Sequence, residues 1–285
     1  MWIKEFMTLL ESQRYEDAFL LKNSHIPPKL FRYRRFPANA MDSVNVINEL
    51  LQKYVYLATA EIDDSSEGFV KIDVLRFLKE VYGYKGFGDD SLDKYLYHLC
   101  CDVTDGRKIM ARSSVRFCSF CEGEEVDGTL IPANNLLWGT YAAEGTGICI
   151  EYDMTKFVEH DALQRRFMYP IYYSDFPFDA TDMFISYATR NKRSVVGYDI
   201  LAHMIKRNVW EHQNEWRLIY GNGIISPATP CVLFDAISAV YIGINTTAEV
   251  RNVILRNADS IGAPIFEMKE SLNGLKRSLL VGLNS

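Results

Sequence analysis

The 285-residue sequence predicts an α+β fold, with mixed, mainly antiparallel sheets and flanking helices. Three observations lead there. Segments of helical apolar spacing and segments of strand alternation interleave without a regular βαβ rhythm, which disfavours a doubly wound parallel sheet. A hydrophobic content of 48% is ample for a large core in a chain of this length. No repeat, low-complexity tract or Pro/Gly linker divides the chain. The simplest partition is a helical extension over 1–28 and a single α+β domain over 29–285.

In chain order, Trp2, Phe6, Leu9, Leu10, Ala18 and Leu21 recur at helical spacing, so 2–22 reads as one or two amphipathic helices. Pro27 and Pro28 stop them. Leu30–Arg34 alternates apolar with charged residues, a strand signal. Asp42 or Ser43 can cap a helix to about Lys53, and Tyr54–Ala58 reads as a second strand. Residues 70–101 look helical in two pieces, broken around Gly83 to Asp90. Val115–Cys121 is a strand, and a Gly- and Glu-rich turn comes after it. Asn134 or Asn135 opens a short helix through Trp138 and Tyr141. Strands are expected at Gly147–Asp153, Met168–Tyr173, Glu215–Tyr220 and Ile237–Ile242. Helices are expected over 178–212 and Thr246–Asn257, and one or two strands after Ile265.

Composition narrows the function classes. Charged residues at 24% and a net charge of −6 exclude wholesale disorder and a strongly basic nucleic-acid footprint. The cluster Arg32, Arg34 and Arg35 is the densest basic feature. Glu11, Arg14, Glu16 and Asp17 interrupt the first apolar stretch, so it reads as neither signal peptide nor anchor. Six cysteines without a secretory signal read as reduced thiols in a cytoplasmic protein, with no membrane partner.

Few motifs carry chemistry. Cys118 and Cys121 have CxxC spacing, but no second CxxC or His pair completes a tetrahedral site. On a strand, positions three apart also face opposite sides. No metal site is therefore expected from them. Asp63, Asp64 and Glu67 lie in an acidic turn that could hold a divalent cation, although calcium-loop spacing is missing and an amide-capping turn accounts for it. The segment Trp210–Tyr220, WEHQNEWRLIY, is the most suggestive. Gln213 and Glu215 stand two apart at a strand entrance, so both can face one cleft. A carboxylate beside an amide suits glycosidic chemistry at a ribose, where it stabilises developing positive charge while the amide orients the acceptor. The bland alternative pairs Glu215 with Arg217 or Arg34.

Taken together, LFRYRRF (30–36), YVYLATAEIDD (54–64), RFCSF (116–120), NLLWGTYAAEGTGICIEYD (135–153), YPIYYSD (169–175), WEHQNEWRLIY (210–220) and AVYIGIN (239–245) resemble the DUF2971 family, in that family's order. The family has no settled activity. Where it shows a glutamate before the last acidic residue, this chain has Gln213. A looser resemblance is to ADP-ribosyltransferases of the R-S-E type, which place an arginine on an early strand, a serine on a middle one and E/Q-x-E on a late one. That resemblance implies an ADP-ribosyltransferase-like fold with NAD as substrate. It implies Arg34, or else Arg32, on the pyrophosphate or ribose, and Ser119 on the nicotinamide ribose. Glu215 would face the oxocarbenium-like transition state, and Gln213 the acceptor. Tyr33, Tyr56 or Tyr141 would stack on the nicotinamide ring. It further implies a transferase or NAD glycohydrolase, as a toxin or phage-defence effector acting on a nucleic acid or protein. Two other classes stand beside it: a non-catalytic binding or sensor module, and a metal-dependent hydrolase or nuclease built on Asp63, Asp64 and Glu67.

Overall fold

The computed structural model describes residues 2–36, 40–59, 70–86, 94–95, 97–98, 115–157, 162–190, 198–221, 224–225 and 230–282. In chain order its strands are β1 (Lys29–Arg34), β2 (Tyr54–Tyr56), β3 (Ala58–Thr59), β4 (Val70–Lys71), β5 (Val115–Cys121), β6 (Glu124–Val126), β7 (Thr129–Ile131) and β8 (Ile148–Asp153). They continue with β9 (Met168–Pro170), β10 (Tyr172–Tyr173), β11 (Phe178–Asp179), β12 (Ile205–Lys206), β13 (Glu215–Gly221), β14 (Cys231–Leu233), β15 (Ile237–Ile242), β16 (Ile265–Ser271) and β17 (Gly274–Val281).

One large sheet organises the molecule, in the order β17-β16-β15-β8-β1-β5-β13-β9, with β3 also paired to β5. Only β15 and β16 run parallel within it; its other pairs are antiparallel. The fold is α+β, as expected. β8 lies in the middle and is buried from Ile148 to Tyr152. Its one buried acid, Glu151, is satisfied by Lys29, the Ser238 hydroxyl and the Tyr241 hydroxyl.

Strand alternation sorts the core into layers. Leu30, Cys118, Phe120, Ile150, Trp216 and Leu218 face one side, where helix Ala40–Gln52 and helix Ala248–Arg256 pack. The opposite face carries two separate apolar clusters. One gathers Phe31, Tyr33, Cys121 and Trp138 under helix Asn135–Tyr141. The other gathers Val115, Ile219, Leu201 and Ile205 with Phe6 and Leu10 of the first helix, Trp2–Glu11. The N-terminal helices thus pack on the sheet domain, and Trp2 stacks on Trp216 with centroids 5.9 Å apart.

Several expected boundaries shift for local reasons. Residues 178–212 are not continuously helical. Phe178–Asp179 pairs with Val70–Lys71, and Ile205–Lys206 pairs in parallel with Tyr172–Tyr173. Helices occupy Thr181–Arg190 and Tyr198–Ala202 between them. Met168–Tyr173 is divided because it changes partner: Ile171 still donates its N–H to the Glu215 carbonyl of β13, whereas Tyr172 donates to the Met204 carbonyl beside β12. The turn after Cys121 is a small hairpin, β6–β7, turned by Asp127 and Gly128 at positive φ. The second helical piece expected within 70–101 falls largely outside the described residues.

Gly147 opens β8 against the end of β1. A Cβ there would lie 2.1 Å from the Arg34 carbonyl oxygen, so only glycine permits this approach. Elsewhere in the interior, Lys22 is fully buried and donates to the carbonyls of Arg165 (2.6 Å) and Met168 (2.7 Å).

Burial, assisted by the charge of Arg165, pushes the Lys22 pKa down to about 7. Folding therefore releases a proton between that value and the unfolded ~10.4. Stability is expected to rise with pH from about 7 to about 10 on this account. Urea denaturation at a series of pH values should show the rise in the wild type and its loss in Lys22→Met.

Candidate functional site

The main sheet divides between β1 and β5. They pair only at Phe31 and Cys121. Further along, the same edge of β5 is taken by β3, with Ala58 opposite Phe117 and Thr59 opposite Arg116. Between these contacts the backbones part, and a cavity of about 280 Å³ opens at the gap. Its walls include Arg32, Tyr33, Arg34, Tyr56, Ser119, Tyr141, Lys206, Gln213, Glu215 and Arg217. All eight residues that the ADP-ribosyltransferase resemblance implies therefore lie on this one cavity. The volume is near the lower end of the ~300–1,000 Å³ usual for small-molecule sites, enough for a mononucleotide-sized group with the rest of a longer ligand in the mouth.

The residues reach it from both faces of the sheet. On β13, Glu215 and Arg217 share the face of their partners Cys121 and Ser119. On β1, Arg32 and Arg34 share the face of Leu30, opposite to Phe31 and Tyr33. Glu49, from helix Ala40–Gln52, bonds Arg32 and stands 3.2 Å from Arg34 Nε. The Arg34 approach is an ionic contact without hydrogen-bond geometry, since Arg34 Nε and Glu49 Oε2 have no hydrogen-bond partner among the described residues. Arg34 is thereby held at the gap by charge.

Glu215 is 4% exposed and carries the densest contacts. Arg217 Nε donates to Oε1 at 2.6 Å, and Lys206 Nζ to Oε2 at 2.9 Å. Burial alone would raise its pKa. Arg217, Lys206 and the hydroxyl of Ser119 outweigh burial and hold it at about 2. The bland alternative for Glu215 is met by Arg217; Arg34 pairs with Glu49. Arg217 also donates to the His203 carbonyl and lies 4.4 Å over the Phe117 ring.

Gln213 ends a 3-10 turn, and Asn214 comes next at φ 41 in the left-handed region, which asparagine tolerates. This reversal, rather than strand alternation, brings Gln213 and Glu215 to one cavity. Gln213 Oε1 accepts from Lys206 Nζ at 2.7 Å, and Nε2 donates to Tyr141 Oη at 2.8 Å. Of the tyrosines, Tyr56 and Tyr141 are exposed and open to a stacking ligand. Tyr33 is buried, packs edge-on against Trp138 at 5.3 Å, and its hydroxyl has no side-chain hydrogen-bond partner among the described residues. Burial raises all three thiols of this region, Cys118 to about 11 and Cys121 and Cys149 further, so none is a thiolate nucleophile at neutral pH.

Lys206 and Glu49 were not legible as site residues. Lys206 lies on the short strand β12, in a stretch whose spacing predicts helix, and Glu49 lies on an amphipathic helix, where its acid looks like any polar-face residue. No group of three metal-ligating side chains occurs among the described residues. Asp63, Asp64 and Glu67 lie outside them. No helix among the described residues is long and apolar enough to cross a membrane.

Because the folded pKa of Glu215 lies below the unfolded ~4.3, its ion pairs stabilise the fold above that value. That contribution is lost as pH falls from about 5 towards 2. Glu215→Gln removes this acid dependence and leaves Lys206 and Arg217 facing an uncharged group. It is expected to cost roughly 3–5 kcal/mol at pH 7, measured by urea denaturation.

Comparison with known proteins bears on one segment of the chain. No curated protein and no solved structure matches it. Residues 137–218 match the family model DUF2971, described as a protein of unknown function, so the likeness to that family rests on the segment that carries Tyr141, Lys206, Gln213, Glu215 and Arg217.

Proposed function

We propose that this cleft binds NAD and acts on its nicotinamide–ribose bond, as an ADP-ribosyltransferase or NAD glycohydrolase. One observation carries the reading. Arg34, Ser119, Gln213 and Glu215, from three distant stretches of chain, wall a single cavity on three neighbouring strands and the turn entering the last.

Chemically, the cavity is built for an anionic ligand with a flat ring. Arg34 and Arg32 offer guanidinium forks to a pyrophosphate, and exposed Tyr56 and Tyr141 offer ring faces to the nicotinamide. Ser119, beside Glu215, is placed to bond a ribose hydroxyl. Glu215 is the only acid among the described residues of the cavity walls and stays ionised, so it would supply the negative field that an oxocarbenium-like transition state needs. Arg32 and Arg34 come from the face opposite to Ser119 and Glu215. A bound dinucleotide would therefore thread the gap between β1 and β5.

A second reading is favoured by the closure of Glu215. Both its oxygens are occupied by cations, which cancels much of the field it could present to a developing positive charge. With the carboxylate so compensated, the cleft works as a non-catalytic nucleotide sensor.

The two readings separate on release of nicotinamide from NAD by the purified protein. Transfer or hydrolysis predicts release that falls by roughly 10²–10³ in Glu215→Gln. Ser119→Ala, which leaves the ion pairs intact, should lower it as well. Saturable NAD binding without release would assign the sensor role, and release unchanged in both variants would remove these residues from the chemistry.

A further inference from the structure

The polarity of the wall formed by Lys206, Gln213 and Tyr141 is set by one fact: an ammonium group only donates. Lys206 Nζ bonds one end of the Gln213 amide at 2.7 Å, so that end is the carbonyl oxygen. The amide nitrogen is therefore the end that meets Tyr141, and it donates to Oη at 2.8 Å. A phenol oxygen that accepts there has its own proton directed elsewhere. Tyr141 lines the cavity and is 38% exposed, so that proton can serve a ligand. Lys206 and Gln213 are 5% and 2% exposed, which shields this arrangement from competing water. The wall thus offers two donors: the hydroxyl of Tyr141 and the remaining N–H of Gln213.

We propose that the Tyr141 hydroxyl and the Gln213 amide form a subsite for a phosphate monoester, with Lys206 as the positioning residue that sets its polarity. This phosphate is the acceptor in glycosyl transfer from NAD. The acceptor role rests on the reading of the cleft as a transferase; the subsite does not.

Charge agrees with a phosphate. Arg32, Arg34, Lys206 and Arg217 on the cavity stand against Glu215 and, behind the arginines, Glu49. Among the described residues, four cations against two carboxylates leave an excess of two positive charges. The chemistry also selects an acceptor that is already ionised. Glu215 is committed to Lys206 and Arg217, the Gln213 carbonyl is occupied, and no histidine lines the cavity among the described residues. An alcohol or amine would need a base to take its proton, and a phosphate oxyanion does not. In the step, a lone pair on the phosphate oxygen forms the bond to ribose C1′. The electrons of the C1′–N bond leave with nicotinamide, whose ring nitrogen loses its positive charge. No proton moves.

The test titrates inorganic phosphate into the wild type, Tyr141→Phe and Gln213→Glu by calorimetry, with melting temperature as the control for folding. Tyr141→Phe removes one hydroxyl from a residue that is 38% exposed, so its melting temperature is expected to stay close to that of the wild type. Saturable binding to the wild type, weaker by roughly tenfold or more in each variant, is expected, as for loss of a hydrogen bond to a charged group. Absence of binding to the wild type, or equal binding by all three proteins, overturns the subsite. NAD is then incubated with a nucleoside 5′-monophosphate or the bare nucleoside, and products are monitored by ³¹P NMR. Coupling to the monophosphate alone supports the acceptor role, and coupling to the bare nucleoside overturns it. Phosphate binding lost in both variants, with no nicotinamide released by the wild type, supports the subsite and counts against glycosyl transfer alone.

Discussion

A carboxylate buried between two buried cations sets the terms for this molecule. Glu215 could not remain ionised in a sheet interior without Lys206 and Arg217, and neither cation could be buried there without it. The three side chains come from β13 and from β12, the short strand that pairs with β10. Their contact ties that parallel pair to β13, the strand next to the edge of the large sheet. It also fills the interval between the two apolar clusters on this face with polar groups. The cavity exists because charge, rather than hydrocarbon, occupies that interval.

The second constraint is geometric. β5 shares one edge between two partners, β1 at Cys121 and β3 at Phe117. Residues between those contacts cannot complete a ladder with either, so the sheet gapes there. Side chains that alternate away from each other along β1 and β13 consequently meet around one opening. Gly147 contributes by letting β8 close against the Arg34 carbonyl, which holds the end of β1 at the edge of the gap. Glu49 then counters the two arginines from the far side. The opening is cationic because that single carboxylate serves both of them.

Rigidity distinguishes this cleft from a surface patch. Gln213 has no rotational choice once Lys206 takes its carbonyl, and Glu215 has none between its two donors. Donors held in place before a ligand arrives lose little entropy on binding it. The exposed members, Tyr56 and Tyr141, sit on strand and helix ends at the mouth, where ring faces can adjust to a ligand.

The sequence by itself determined the periodic parts. Val115–Cys121 and Ile237–Ile242 have the strand bounds that their apolar patterns imply, and Asn134 caps the helix it was expected to open. The order of arginine, serine and Gln213-x-Glu215 was legible, because residue type and spacing are local properties. What brought them together was not local. Parting of β1 from β5 depends on a two-residue strand, Ala58–Thr59, too short for alternation to reveal. The left-handed turn at Asn214, the burial of Lys206 and the pairing of Arg34 with Glu49 depend on neighbours supplied by other elements. Only the tertiary structure could decide them, since a side chain's charge partner and solvent exposure are set by what packs beside it.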